Sequence, residues 1–228
     1  MGNGRHSALN RNRNSLHRTT RDILGEAGKR ISRADMIERT NPHYEEGVKY
    51  KENCALCVVA TALQYMGYDV EALGRDKKWR GFSNVFDYEF TPENFKAPID
   101  KFTNYTGVPW EKSYLNTNKF TEPSVDSMSS EIRQQMIAWD DASYESLACI
   151  NVAWTGGGAH TLIVHHSAIT GTEFWDTQTH TVYSSPESWF DAHPNANLKS
   201  IGLYRLNNVK IKSSKIASLD KMIKRRSR

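Results

Sequence analysis

Residues 53–67, NCALCVVATALQYMG, predict one buried α-helix on which the rest of the fold packs. Asn53 is a residue type that caps helix starts, residues 54–66 are compatible with a helix, and Gly67 suits the position just after a helix. The run is apolar on almost every side, which is typical of a helix inside the core. We therefore expect a buried helix in the first half of the chain.

The second half of the chain changes to strand-like patterns, with short apolar runs separated by turn signals. We predict strands at 147–154, 159–166, 172–176, 181–183 and 199–206. We also predict helices at 129–139, capped by Ser129 or Ser130, and at 186–192. The expected fold class is α+β, with the buried N-terminal helix packed on a mainly antiparallel sheet.

Charge is unevenly distributed along the chain. The formal net charge is +4, from 30 Lys and Arg against 26 Asp and Glu. Residues 1–33 hold eight basic and two acidic residues, residues 205–228 hold nine and one, and residues 34–204 hold 13 and 23. We predict a basic flexible arm at 1–33, one domain at 34–206 and a basic C-terminal tail at 207–228. The ends would suit nucleic acid or another phosphate-rich surface; solubilising disordered arms are the alternative.

Composition excludes several classes of protein. Hydrophobic residues at 38% and aromatic residues at 11% are too frequent for a disordered chain. We expect no membrane span and no signal peptide, because no apolar run has the required length. The three cysteines, Cys54, Cys57 and Cys149, are too few for a disulfide framework. We expect no metal or cofactor, since Cys54 and Cys57 form at most half of a zinc site, which Cys149 and a histidine would have to complete.

The start of the predicted helix is a candidate catalytic position. Cys54 would be the first helical residue, where unpaired backbone N–H groups make a thiol more nucleophilic and can hold an oxyanion. Cys57 lies one turn further on the same side, among packed apolar neighbours. We therefore expect Cys54 to be the nucleophile, with Cys57 as the alternative. The non-catalytic interpretation is that a buried free cysteine serves only as a small apolar residue.

A second candidate cluster lies in the predicted sheet. His160 opens a strand directly after three glycines, which either admit a substrate closely or form a plain flexible loop. Asp176 ends the next strand, and the tight turn between the two strands predicts that they pair. This pairing brings Asp176 near His160, where a carboxylate can hold the imidazole in one tautomer. Gln178, just beyond, could add a hydrogen bond.

Several short motifs together resemble the papain-fold toxin family. The opening motifs are NPHY at 41–44, NCALCVVA at 53–60 and GYDVEA at 67–72. The later family motifs, a His at a strand start and an Asp followed closely by Gln, resemble GAH at 158–160 and DTQ at 176–178. The resemblance spans residues 41–180, so the basic ends lie outside it. The family's Arg-rich end of the first helix is replaced here by LQYM at 63–66.

The resemblance implies a papain-like catalytic domain at 34–206 and cysteine chemistry on an amide. Cys54 would attack a carboxamide carbon, and His160 would protonate the departing ammonia and then activate water. Asp176 would orient His160. Asn53 and Gln178 would serve as oxyanion-stabilising or auxiliary residues.

The resemblance further implies a biological role. The first expectation is a protein glutamine deamidase that acts as a toxin or effector on a target Gln side chain. Two alternatives stay open: a cysteine peptidase of the same fold, and a non-catalytic virion structural protein whose basic tails contact nucleic acid. Because the family includes phage virion-associated proteins, virion proteins are candidate partners. The expected location is the cytoplasm of a target or host cell after delivery, with virion association before it.

Overall fold

The computed structural model describes residues 19–75, 102–104, 112–114, 123–207, 209–211 and 216–226. Residues 1–18, which make up most of the predicted arm, and residues 76–101 lie outside these ranges. The helices are α1 Thr20–Leu24, α2 Arg33–Arg39, α3 Val48–Lys51, α4 Cys54–Tyr65, α5 Val125–Ala138, α6 Pro186–Ala192 and α7 Ile216–Leu219, with one 3₁₀ turn at Tyr44–Glu46. The strands are β1 Val70–Ala72, β2 Phe102–Asn104, β3 Lys112–Tyr114, β4 Glu145–Trp154, β5 Ala159–Ser167, β6 Gly171–Asp176, β7 Thr181–Tyr183, β8 Ala196–Arg205, β9 Val209–Ile211 and β10 Ile223–Arg225.

Six strands form the main sheet, in the order β3-β8-β4-β5-β6-β7, and every neighbouring pair is antiparallel. Two further antiparallel pairs, β1 with β10 and β2 with β9, join distant parts of the chain. All the strands predicted in the second half are present, with bounds within a few residues of those expected. The fold class is therefore α+β with antiparallel sheets.

The predicted buried helix is confirmed as α4. Every residue from Ala55 to Gln64 is buried, so the helix is enclosed on all sides between its first and last residues. Gly67 follows its end with φ +93°, and a Cβ there would lie 2.3 Å from the carbonyl oxygen of Gly28, so only glycine fits. No helix in the described ranges is long and apolar enough to span a membrane.

The main sheet lies between two apolar clusters. Side chains alternate along each strand, so neighbouring residues enter different cores. Cys149 and Ile163 belong to the cluster that surrounds α4, whereas Ala148 and Val164 belong to the cluster beneath α5 and α6. This arrangement places α4 on one face of the sheet and fixes its direction relative to β5.

Helix α5 begins earlier than the sequence predicts. Its N-cap is Ser124 instead of Ser129 or Ser130, and Ser124 forms a capping box with Ser127. The backbone N–H of each serine donates to the hydroxyl of the other, at 3.1 and 2.9 Å. Ser129 is buried inside the helix. Because several serines in close succession are all suitable caps, the sequence pattern favoured the wrong one.

The predicted flexible arm at 1–33 is wrong for its last part, because residues 19–33 pack on the domain. Thr19 and Asp22 cap α1, and Ile23 and Leu24 are buried in the core around α4. The chain then crosses the C-terminal end of α4, where the backbone N–H of Ile31 donates to the carbonyl of Gln64 at 3.2 Å. This segment is therefore part of the fold.

The predicted basic tail at 207–228 is also wrong for its described part. Strand β10 pairs with β1, next to α4. Leu219, Met222 and Ile223 are buried in the same core as α4. Burial of apolar side chains, about 1.5–3 kcal/mol for each large one, holds this segment despite its charge.

The basic segments have counter-charges inside the protein. Arg33 pairs with Glu173 on β6 at 2.6 Å, and Arg30 pairs with Glu145 on β4 at 2.5 Å. Lys224 on β10 lies 3.5 Å from Glu71 on β1, which is nearly buried. For the described residues, the acidic body is therefore itself a partner of the basic ends.

Candidate active site

Cys54 is the first residue of α4. It is partly exposed, whereas Cys57 and Cys149 are buried, and all three cysteines are free. The N-terminal end of a helix carries unpaired N–H groups and a partial positive charge, both of which favour a negative sulfur nearby. Among the three cysteines, Cys54 alone combines access with this position.

His160 lies at the start of β5, opposite Val152 on β4. Its Nε2 is 2.9 Å from Oδ2 of Asp176, and the two side chains retain 13% and 5% of their exposure. The Cys54 side chain is near enough to the imidazole to be one of the groups that raise the pKa of His160. The structure thus brings Cys54, His160 and Asp176 together, and the expected proximity of Asp176 to His160 is confirmed.

The charged forms of His160 and Asp176 stabilise each other. Burial lowers the pKa of His160, but hydrogen bonds to Asp176 and Cys54, and the charges of both, raise it overall to about 10. Burial raises the pKa of Asp176, but the hydrogen bond and charge of His160 lower it overall. At neutral pH the pair is therefore an imidazolium and a carboxylate. A cationic imidazole beside a thiol stabilises negative charge on the sulfur.

Cys57 has the opposite environment. It is 1% exposed, and its thiol donates to Oδ1 of Asn53 at 3.4 Å. Burial, followed by the charges of Cys54 and Asp176, raises the pKa of Cys57 well above its ordinary value. A buried protonated thiol is a poor nucleophile. The geometry therefore favours Cys54 over Cys57.

The side chain of Asn53 is not available for the oxyanion-stabilising part of the role predicted for it. Asn53 precedes α4 but makes no capping bond with its own side chain. Its Nδ2 donates to Oδ1 of Asn41 at 3.1 Å and to the carbonyl of Leu73 at 3.0 Å. Both amide hydrogens are thus engaged, and the residue is 1% exposed. The Asn53 side chain is therefore a structural link and leaves no donor for an oxyanion.

Gln178 supplies the cap that Asn53 does not. Its side-chain amide lies against the start of α4, 2.9 Å from the backbone nitrogens of both Asn53 and Cys54. The oxygen and the NH₂ group of this amide can be exchanged without changing its shape. In one orientation the NH₂ group donates to Oδ1 of Asn53, but it then faces two backbone N–H groups, which are also donors. We assign the orientation in which Oε1 accepts from both N–H groups, because it satisfies two donors. Gln178 therefore caps the helix that carries the nucleophile.

Trp154 borders the site and was not among the predicted site residues. It ends β4, and its ring stacks on His160 with centroids 6.1 Å apart and planes at 12°. The exposed glycines at 156–158 follow it; Gly157 and Gly158 adopt φ +94° and +84°, which favours glycine at both. The one sequence signal for Trp154 is its position at a predicted strand end, just before this loop. The open loop and the indole together form a rim beside His160.

No family model, curated protein or solved structure matches this chain. Within the described ranges, no group of three or more His, Cys, Asp or Glu side chains is arranged to hold a metal ion. The Cys54, His160 and Asp176 cluster is therefore the feature of the molecule that indicates a function.

Proposed function

We propose that this protein is a papain-like cysteine amidohydrolase. Cys54 is the nucleophile, His160 is the general acid and base, and Asp176 orients His160. The single observation that carries the proposal is the position of His160, whose imidazole contacts the buried Asp176 carboxylate and lies beside the only accessible thiol of the three cysteines. A buried carboxylate, an imidazole and a thiol in this order form the arrangement used for nucleophilic catalysis on carbonyl groups.

The proposed reaction has two halves. Asp176 engages Nε2 of His160, so Nδ1 is the ring nitrogen that transfers protons in the proposed reaction. The Cys54 thiolate adds to the carbon of a carboxamide, the C–N bond breaks, and the imidazolium protonates the departing ammonia. Neutral His160 then takes a proton from water, the hydroxide adds to the thioester, and the carboxylic acid leaves as the thiolate re-forms.

The proposed substrate is a glutamine side chain of another protein. This choice follows the resemblance of residues 41–180 to the papain-fold toxin family, many of which are known as glutamine deamidases. The three exposed glycines at 156–158 support it in one respect, because they add no side chains next to His160. A peptidase would use the same three residues on a main-chain amide.

Unbiased mass spectrometry tests the proposal. A protein extract from candidate target cells is incubated with the wild type and, as a control, with the Cys54→Ala variant. Conversion of specific Gln residues to Glu by the wild type alone supports deamidation. New peptide termini, again only with the wild type, would make the protein a peptidase. Identical extracts after both incubations, across several candidate target cells, would count against enzymatic activity on proteins.

A further inference from the structure

A cluster of buried polar side chains lies directly behind the candidate site. Asn41, Asn53 and Gln178 are 0%, 1% and 5% exposed. They come from three separate parts of the chain: the turn before the 3₁₀ helix, the start of α4 and the turn after β6. Buried polar groups destabilise a fold unless they are hydrogen-bonded. Because only one local arrangement gives every member of this cluster a partner, the cluster restricts the structure to that arrangement.

Asn41 connects the members of this cluster. Its Nδ2 donates to the backbone carbonyl of Gln178 at 2.9 Å and to that of Tyr50 at 3.0 Å. Its Oδ1 accepts from Nδ2 of Asn53 at 3.1 Å. Its own carbonyl accepts from Nε2 of His180 at 2.9 Å. One residue thus ties the start of α4 to the turn that follows Asp176.

Gln178 carries this connection to both halves of the site. Its side chain caps the backbone N–H groups of Asn53 and Cys54. Its own backbone N–H donates to Oδ1 of Asp176 at 3.1 Å, while Oδ2 of Asp176 holds His160. The turn that contains Gln178 therefore contacts both the start of α4, where Cys54 lies, and Asp176, which holds His160. Asn41 in turn donates a hydrogen bond to the backbone carbonyl of Gln178.

We propose that Asn41 is a positioning residue, which fixes the start of α4, and with it the Cys54 thiol, against the His160–Asp176 pair. This inference rests on the proposed function of that pair. The physical reason is that α4 has no cap of its own: the Asn53 side chain is turned away, and the cap comes from Gln178. Loss of Asn41 frees the 178 turn and the Asn53 amide together. A displacement of about 1 Å between reacting groups can slow a reaction about 100-fold.

The test measures the chemistry of Cys54 without a substrate. Full-length wild type, Asn41→Ala and Asn41→Asp are alkylated with iodoacetamide across a pH series, and the Cys54 adduct is quantified by mass spectrometry. Because alanine removes three buried hydrogen bonds and threatens folding, Asn41→Asp is measured in parallel. Aspartate keeps the shape and the acceptor for Asn53, but loses the donors to Gln178 and Tyr50. Ile132→Ala, a buried change in the other core, is the control for lost stability.

We expect both Asn41 variants to alkylate Cys54 at least about 10-fold more slowly than the wild type near pH 6. The Ile132→Ala control should keep the wild-type profile. A wild-type profile in a folded Asn41 variant would overturn the positioning role, and so would an equal loss in the control. If wild-type Cys54 reacts no faster than an ordinary thiol, the proposed function is wrong. This result differs from a reactive wild-type Cys54 that is unaffected by the Asn41 variants, which would contradict only the role of Asn41.

Discussion

Nε2 of His160 and Oδ2 of Asp176 lie 2.9 Å apart, although 16 residues separate them in the chain. The antiparallel pairing of β5 with β6 brings the two side chains together at one end of the sheet. Both are almost completely buried, so each charge depends on the other for its stability.

Replacing Asp176 by Asn should lower the pKa of His160 from about 10 toward the ordinary value, because the raising hydrogen bond and charge of the carboxylate are both lost. The shape of the side chain is retained, so the fold should persist. An NMR titration of the His160 ring in both proteins measures the effect. Asp191→Asn, at an exposed position, is the matched control and should leave the titration of His160 as it is. An unchanged titration in Asp176→Asn would contradict the pairing.

The same pair makes stability fall at alkaline pH. His160 has a pKa of about 10 in the folded protein and about 6.5 when unfolded, so the folded state retains a proton that the unfolded state loses. The contribution of His160 to the free energy of unfolding is therefore fully present below about pH 6.5 and is lost as pH rises toward 10. Urea unfolding across this range should show the decline in the wild type and a flatter profile in His160→Gln. Equal slopes for both proteins would refute this linkage.

A second histidine acts in the opposite direction at acidic pH. His165 is buried, stacks on Trp175 with centroids 4.3 Å apart, and has its pKa lowered to about 4, mainly by burial. Between about pH 6.5 and 4 the unfolded chain binds a proton that the folded protein excludes, so stability falls as pH falls. His165→Gln should flatten this acid limb of the urea-unfolding profile. The alkaline limb, which depends on His160, should stay as in the wild type.

Removal of the Gln178 side chain should destabilise the protein because α4 loses the acceptor for two backbone N–H groups. Loss of a helix cap costs about 1 kcal/mol, and the buried position places the expected loss at about 1–3 kcal/mol. Urea unfolding of Gln178→Ala gives the value. Gln134→Ala is the control, since Gln134 makes one exposed hydrogen bond within α5. Equal stability of the two variants would mean that Gln178 is not a cap.

The main elements of the fold were predictable because their signals are local. The apolar run at 54–66 identifies α4, and alternation in the second half identifies the strands that carry His160 and Asp176. Their pairing followed from one tight turn between adjacent strands. The cap by Gln178 could not be predicted, because it joins two residues more than a hundred positions apart, and nothing local to Asn53 shows that its own side chain is used elsewhere.

The burial of the basic ends was not predicted from the sequence, for a different reason. Ile23 and Leu24 at one end, and Met222 and Ile223 at the other, are short apolar pairs next to charged residues, and such short segments have too little periodicity to predict burial. Their charges also suggested an external partner. The ion pairs of Arg33 and Arg30 with strands β6 and β4 show that the acidic body supplies counter-charges for these segments.

Burial of the N-terminal segment gives a direct stability prediction. Leu24 is 1% exposed, whereas Ile169, at the β5–β6 turn, is 95% exposed. Leu24→Ala should cost about 2–5 kcal/mol by removing packed methyl groups and leaving a cavity, and Ile169→Ala should cost close to nothing. Urea unfolding of both variants measures the difference. A negligible loss for Leu24→Ala would restore the flexible-arm interpretation of residues 19–33.

His160 is expected to activate Cys54 as a nucleophile, and the alkylation rate of Cys54 in the wild type and in His160→Gln measures this activation. The measurement uses iodoacetamide near pH 6, where an ordinary thiol is almost wholly protonated. We predict a single adduct, at Cys54, in the wild type, and a rate lower by about 100-fold in His160→Gln. Equal rates in the two folded proteins, or modification of Cys57 before Cys54, would contradict the account.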